Sequence, residues 1–140
     1  MAEMIIRTAS WFTKPLPLNY TRIAICRGTP HWLSGFRRYP KLNPGPSCWE
    51  PLAADEWIRR YHTEVLDRLD PERVAAELQA IAGEGNIPTL LCWERAGSGR
   101  WCHRSITARW LAAGLGIAIP ELGHEHLPQD AHPMLPRALL

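Results

Sequence analysis

Cys102-His103-Arg104 places a thiol, an imidazole and a guanidinium on consecutive residues. A thiol held at a helix N-terminus deprotonates readily, because the terminus carries roughly half a positive charge and unpaired N–H groups; the thiolate can then serve as nucleophile or redox group. The same N–H groups, with His103 and Arg104, could instead cradle a phosphate or carboxylate, since a guanidinium makes two parallel bonds to an oxyanion. A third reading packs Cys102 as a small residue and pairs Arg104 with Glu94, because charge at a strand end is costly to cover alone. Adjacent helical residues point about 100° apart, so His103 and Arg104 can meet one ligand only within the first turn. A phosphatase-like loop is disfavoured: Arg109 follows Cys102 after six residues, with no phosphate-cradling segment between.

Other segments offer companions for this group. Glu94 suits an acid/base or orienting carboxylate, while Cys26, Arg27, Trp32 and Ser10 are candidates for the opposite wall of a ligand site. Cys26, Cys92, Cys102 and His103 are also the residue types of a tetrahedral zinc site. Structural zinc sites, however, usually hold a ligand pair two to four residues apart, and here the only close pair is adjacent, so no metal is expected. His124 and His126 read as a solvated turn. Trp32, Trp49, Trp93 and Trp101, with Phe36 and Tyr39, could stack on a base, sugar or other planar group beside Arg27, Arg37, Arg38, Arg95 and Arg100. Trp57 and Trp110 instead fit helical core stripes.

The elements that must position these groups follow from periodicity. Met4-Ile5-Ile6 running into Thr8-Ala9-Ser10, and Tyr20 to Cys26, read as strands separated by Pro15 and Pro17. From Arg27 to Pro51, Gly and Pro recur too densely for a long regular element, so a long, ordered, covering loop is expected. Asp55 to Leu69 carries a helical apolar stripe through Trp57, Tyr61, Val65 and Leu69. Asp70 as N-cap and Pro71 at the first helical position start a second helix, which Gly83 or Gly85 ends. Thr89 to Glu94 reads as a buried strand, Ser105 to Ala113 as a helix stopping near Gly114, and Ile117 to Ile119 as a short last strand. This order predicts a single α/β domain over 1–120, with a mostly parallel, roughly four-stranded sheet and flanking helices, followed by a Pro-rich extended tail over 121–140. In such a sheet Ser10, Cys26, Arg27, Glu94 and Cys102 to Arg104 gather at the carboxyl edge, where open α/β sheets bind ligands.

The 140 residues, 46% apolar, suit one compact core. The apolar runs are far shorter than the ~20 residues of a membrane span, and Met1 to Phe12 lacks the pattern of a secretory signal. A cytoplasmic protein without a membrane partner is expected, with its four cysteines reduced. A net charge of +2 is too small to imply nucleic-acid binding by itself. Of the 16 basic residues only Lys14 and Lys41 are not Arg, which favours bidentate contacts to phosphate or carboxylate, although a GC-rich genome would give the same bias.

Ile25-Cys26-Arg27-Gly28, Pro30-His31-Trp32, Glu64-Val65-Leu66, Leu69 to Val74, Leu91-Cys92-Trp93-Glu94 and Cys102-His103-Arg104 with Trp110-Leu111 together resemble the bacterial domain-of-unknown-function family 488. The likeness runs from about Ser10 to Leu115, and the LLCxE and CHR segments are its most specific part. It implies a small cytoplasmic α/β protein and brings no established activity. The sequence thus predicts a domain that binds an anionic ligand, a nucleotide or nucleic acid, at the Cys-His-Arg helix terminus. Cys102, His103 and Glu94 are the candidates for catalysis, and Arg104, Arg27, Cys26, Trp32 and Ser10 those for binding. The competing reading is a non-catalytic nucleic-acid-binding module built on the Arg- and Trp-rich loop 27–49. No cofactor is identified.

Overall fold

The computed structural model describes residues 4–49 and 51–137. Its centre is a sheet of four parallel strands, β1 (Arg7–Ser10), β2 (Tyr20–Ala24), β3 (Arg37–Arg38) and β4 (Ile87–Cys92), in the order β1-β4-β2-β3. β4 is buried between β1 and β2, pairing Ser10 with Cys92 on one side and Ala24 with Leu91 on the other. Its near-continuous apolar run is what a strand covered on both faces requires. The carboxyl ends of β1, β2 and β4 therefore lie side by side. Among the described residues no helix is long and apolar enough to cross a membrane.

Three α-helices connect and cover these strands: α1 (Ala54–Glu64), α2 (Pro71–Ala82) and α3 (His103–Leu115). Trp57 and Tyr61 of α1, Val74 and Leu78 of α2, and Ile106 and Leu111 of α3 bury their side chains with Ile23 and Leu90 of the sheet and Ile25 just past β2 in one core. A smaller cluster joins Ala9, Trp11, Ala24, Leu91 and Met134, with Leu33 and Phe36 of the long loop against it. Asp70 caps α2, accepting the Arg73 N–H at 2.9 Å, as its position before Pro71 predicts. α1 is shorter than its apolar stripe, because the chain tightens into a 3-10 turn at Leu66–Arg68.

α3 starts two residues earlier and runs two residues further than its sequence pattern suggests. Gly114 stays inside it and Gly116, at φ 69°, provides the left-handed cap. Gly114 is required there for space: a Cβ would lie 2.4 Å from the Pro71 ring at the start of α2. The first half of α3 is buried on nearly every side, polar residues included. What surrounds it is the segment expected to be a tail. Glu121, His132, Met134 and Leu135 are buried, the Met134 carbonyl accepts the Cys102 N–H at 3.0 Å, and Thr8 N–H donates to the Pro120 carbonyl at 3.1 Å. Residues 121–137 are part of the domain, and Ile117 to Ile119 forms no strand; a single bridge between Thr8 and Glu121 stands in its place. Three prolines disguised a packed segment as an extended one.

Candidate functional site: a thiol–imidazole cleft

Two thiols meet because one ends a strand and the other begins a helix. Cys92 is the last residue of β4, and Cys102, in extended conformation (φ −140°, ψ 142°), is the N-cap of α3. His103, in the first turn, places its Nδ1 3.5 Å from Cys92 Sγ and 3.9 Å from Cys102 Sγ. Its Nε2 lies 2.7 Å from the Ile25 carbonyl at the end of β2. A carbonyl only accepts, so the ring proton is on Nε2 and Nδ1 turns a lone pair toward the two sulfurs.

The electrostatics divide the thiols. Burial opposes a Cys102 thiolate, but a hydrogen bond from the Cys92 thiol and the charge of Arg104 outweigh it and hold this thiol well below its ordinary value. Cys92 is pushed well above it, first because its neighbours Cys102 and Cys26 favour its protonated, hydrogen-bonding form and then because it is buried. Cys26 is drawn down to about 7, chiefly by Cys92 and against burial, with the Trp11 indole contributing. Its Sγ also lies 3.0 Å from the Gly28 carbonyl. Cys92 thus acts as the proton donor of the group, with Cys102 as the sulfur that carries charge.

A cleft of about 440 Å³ opens over this centre. Cys92, Cys102 and His103 form its floor, Trp57, Trp93 and Trp101 its aromatic walls, and Glu94 and Arg100 a rim where the two side chains approach to 3.4 Å. Trp57 meets Trp101 edge-on at 5.1 Å and lies 5.9 Å from the His103 ring. The walls therefore also fix the imidazole.

The residues singled out in the sequence separate into three groups. Cys102, His103 and Glu94 line the cleft together. Arg104 does not: it is fully buried outside the cleft lining, where Nε and Nη2 donate to the two Glu121 carboxylate oxygens at 2.9 and 2.7 Å. Its expected place at a ligand anion is corrected on this ground, since it is buried away from the cleft with Nε and Nη2 taken up by Glu121, and the expected alternative partner Glu94 faces Arg100 instead. Cys26 sits beneath the floor, and Arg27 donates to the Cys48 carbonyl. Ser10 and Trp32 line a separate, more open depression of about 490 Å³ that also includes Phe12, Lys14, Arg95 and His124.

Of the other cleft residues, Trp93, Trp101 and Arg100 are ones the sequence offers as stacking and basic groups, Cys92 entered only in the disfavoured zinc set, and Trp57 was read as core alone. Cys92 carried a usable signal, because it stands at the carboxyl end of the most apolar strand. Trp57 reads as core from its helical spacing and serves both purposes. In comparisons with protein-family models, curated proteins and solved structures, nothing matches this chain.

Proposed function

We propose that the chain binds a planar, anionic small molecule of nucleotide class in the Trp93–Trp101 cleft and that the Cys92–Cys102–His103 floor acts on it. The observation that carries this reading is the convergence of a thiol–imidazole centre, aromatic walls and an Arg-bearing rim from three separate chain segments in one concavity. Aromatic faces accept a flat ring by stacking, and Arg100 can make charge-assisted bonds to a phosphate that reaches the rim. Glu94 orients Arg100. An unprotonated ring nitrogen beside a charge-bearing sulfur is a base and a nucleophile within reach of each other, the combination that covalent and acid–base catalysis use. Of the segments that carry the resemblance to family 488, Cys92 to Glu94 and Cys102-His103 line this cleft.

A second reading rests on the loop. Trp32 and Trp49 are each 56% exposed, and the Arg37–Arg38 edge strand is exposed too, which suits a backbone-tracking nucleic-acid surface. Titrating mononucleotides, single-stranded DNA and RNA at two ionic strengths separates the two. Binding of mononucleotide that weakens in Arg100→Ala and Cys102→Ser supports the cleft. Binding of polymer alone, with a steep salt dependence that flattens in Arg37→Ala/Arg38→Ala, overturns it in favour of the loop.

A further inference from the structure

We infer that Cys92, Cys102 and His103 form a binding site for a divalent metal ion of zinc class, with the fourth coordination position facing the cleft. The inference rests on the cleft reading and specifies what its floor supplies. Zinc binds thiolate sulfur at about 2.3 Å and imidazole nitrogen at about 2.0–2.1 Å in a tetrahedron, so ligand atoms in such a site stand roughly 3.6–3.8 Å apart. Here the two sulfur-to-Nδ1 distances are 3.5 and 3.9 Å, and the three ligand atoms all lie within 4.8 Å of one another. Two edges of one tetrahedral face are thus already near the length an ion requires, and the third, between the sulfurs, is no longer than 4.8 Å.

Two further features fit a metal rather than a thiol cluster alone. His103 donates Nε2–H to the Ile25 carbonyl, the outer-shell bond that fixes a ligating imidazole and leaves its other nitrogen free for an ion. Both sulfurs and the ring also line the cleft, so a three-residue set with an exposed fourth position results. That is the pattern of catalytic rather than structural zinc. Two thiolates and a neutral imidazole would balance a divalent charge in a buried place. The spacing argument against zinc fails because it counts along the chain: β4 and α3 bring residues ten apart in sequence to one point. Cys26 lies below the floor, bonded to Gly28, and is not assigned as a ligand.

The ion at this position would act as a Lewis acid toward a water molecule or a ligand oxygen in the cleft. The test uses the full chain, stripped with chelator and titrated with Co²⁺ and Zn²⁺. The expected result is one Co²⁺ per chain with thiolate-to-metal bands in the near ultraviolet and intense tetrahedral d–d bands, displaced by Zn²⁺. The bands should be lost in Cys92→Ser, Cys102→Ser and His103→Ala and retained in Cys26→Ser. Absence of bands in the wild type, their persistence in Cys102→Ser, or their loss in Cys26→Ser would overturn the assignment. Should the ligand variants fail to fold, alkylation of the wild type decides: Zn²⁺ must protect Cys92 and Cys102, and equal labelling with and without Zn²⁺ rejects the site. Nucleotide binding by a chain that takes no metal would remove this inference and leave the cleft reading standing; metal uptake without nucleotide binding would do the reverse.

Discussion

His103 and Arg104 are neighbours in sequence, yet they serve two different buried polar centres beside α3. On the Arg104 side, the guanidinium holds both Glu121 oxygens, Thr8 donates to Glu121 at 2.7 Å, and His132 lies 2.8 Å from Thr8. Because the single Thr8 hydroxyl proton goes to Glu121, His132 must donate from Nε2, and its Nδ1 accepts the Met134 N–H at 3.1 Å. Arg104 Nη1 is the one side-chain nitrogen of this network without a partner. On the His103 side, the lone pair of Nδ1 and two sulfurs look into a cleft. The first centre is closed and nearly saturated, and the second is open and chemically available. A satisfied buried network fixes a structure, whereas an unsaturated centre at a concavity is able to act.

If that division holds, breaking the closed centre should cost stability. Glu121→Ala leaves the Arg104 charge buried without its partner, and a loss of about 3–5 kcal/mol is expected, read as a fall in the urea midpoint. A loss below about 1 kcal/mol would show that solvent reaches Arg104 and that the centre is not closed.

A pH series sharpens the same contrast. Burial, with Arg104 nearby and despite Glu121, lowers the His132 pKa from 6.5 to about 4. Protonation would also set an Nδ1 hydrogen against the Met134 N–H. The folded state therefore binds this proton less readily than the unfolded chain. The contribution is complete above pH 6.5 and disappears as pH falls toward 4, with a total of about 3 kcal/mol. Chemical denaturation between these values should show the decline, and His132→Gln should flatten it. An equal slope in the variant would remove His132 as its source.

The open centre should behave in the opposite manner. Cys102→Ser keeps a small polar residue at the N-cap, and a stability change within about 1 kcal/mol is expected together with loss of cleft chemistry. Arg100→Ala should change stability by less than about 0.5 kcal/mol, since its partner Glu94 lies at 3.4 Å on an exposed rim. Nucleotide affinity should nevertheless fall by roughly 10- to 100-fold, the worth of a charge-assisted bond. A large stability loss with unchanged ligand binding in either variant would make the cleft a structural feature.

Much of the frame that builds these centres was legible in the chain. The Asp70-Pro71 start of α2, the parallel sheet and the gathering of Glu94, Cys102 and His103 at one edge follow from capping chemistry, apolar runs and strand polarity. The partner of Arg104 did not follow. Glu121 opens a Pro-rich stretch without periodicity, and a segment that packs through single residues such as His132, Met134 and Leu135 leaves no repeating pattern to read. Cys92 was named only in a metal set that spacing along the chain disfavoured, because the placement of α3 against the strand end, which brings Cys102 and His103 beside it, is not written in that spacing.

The most direct test of the open centre is residue-resolved alkylation of the native chain, with cleft and buried cysteines compared by mass spectrometry in the presence and absence of a saturating mononucleotide. Cys92 and Cys102 line the cleft, whereas Cys48 is fully buried in the main core away from it. The expected result is that Cys102 labels first and that the nucleotide protects it in the wild type and not in Arg100→Ala. Labelling of Cys102 no faster than Cys48, or labelling that no nucleotide slows, would contradict the account.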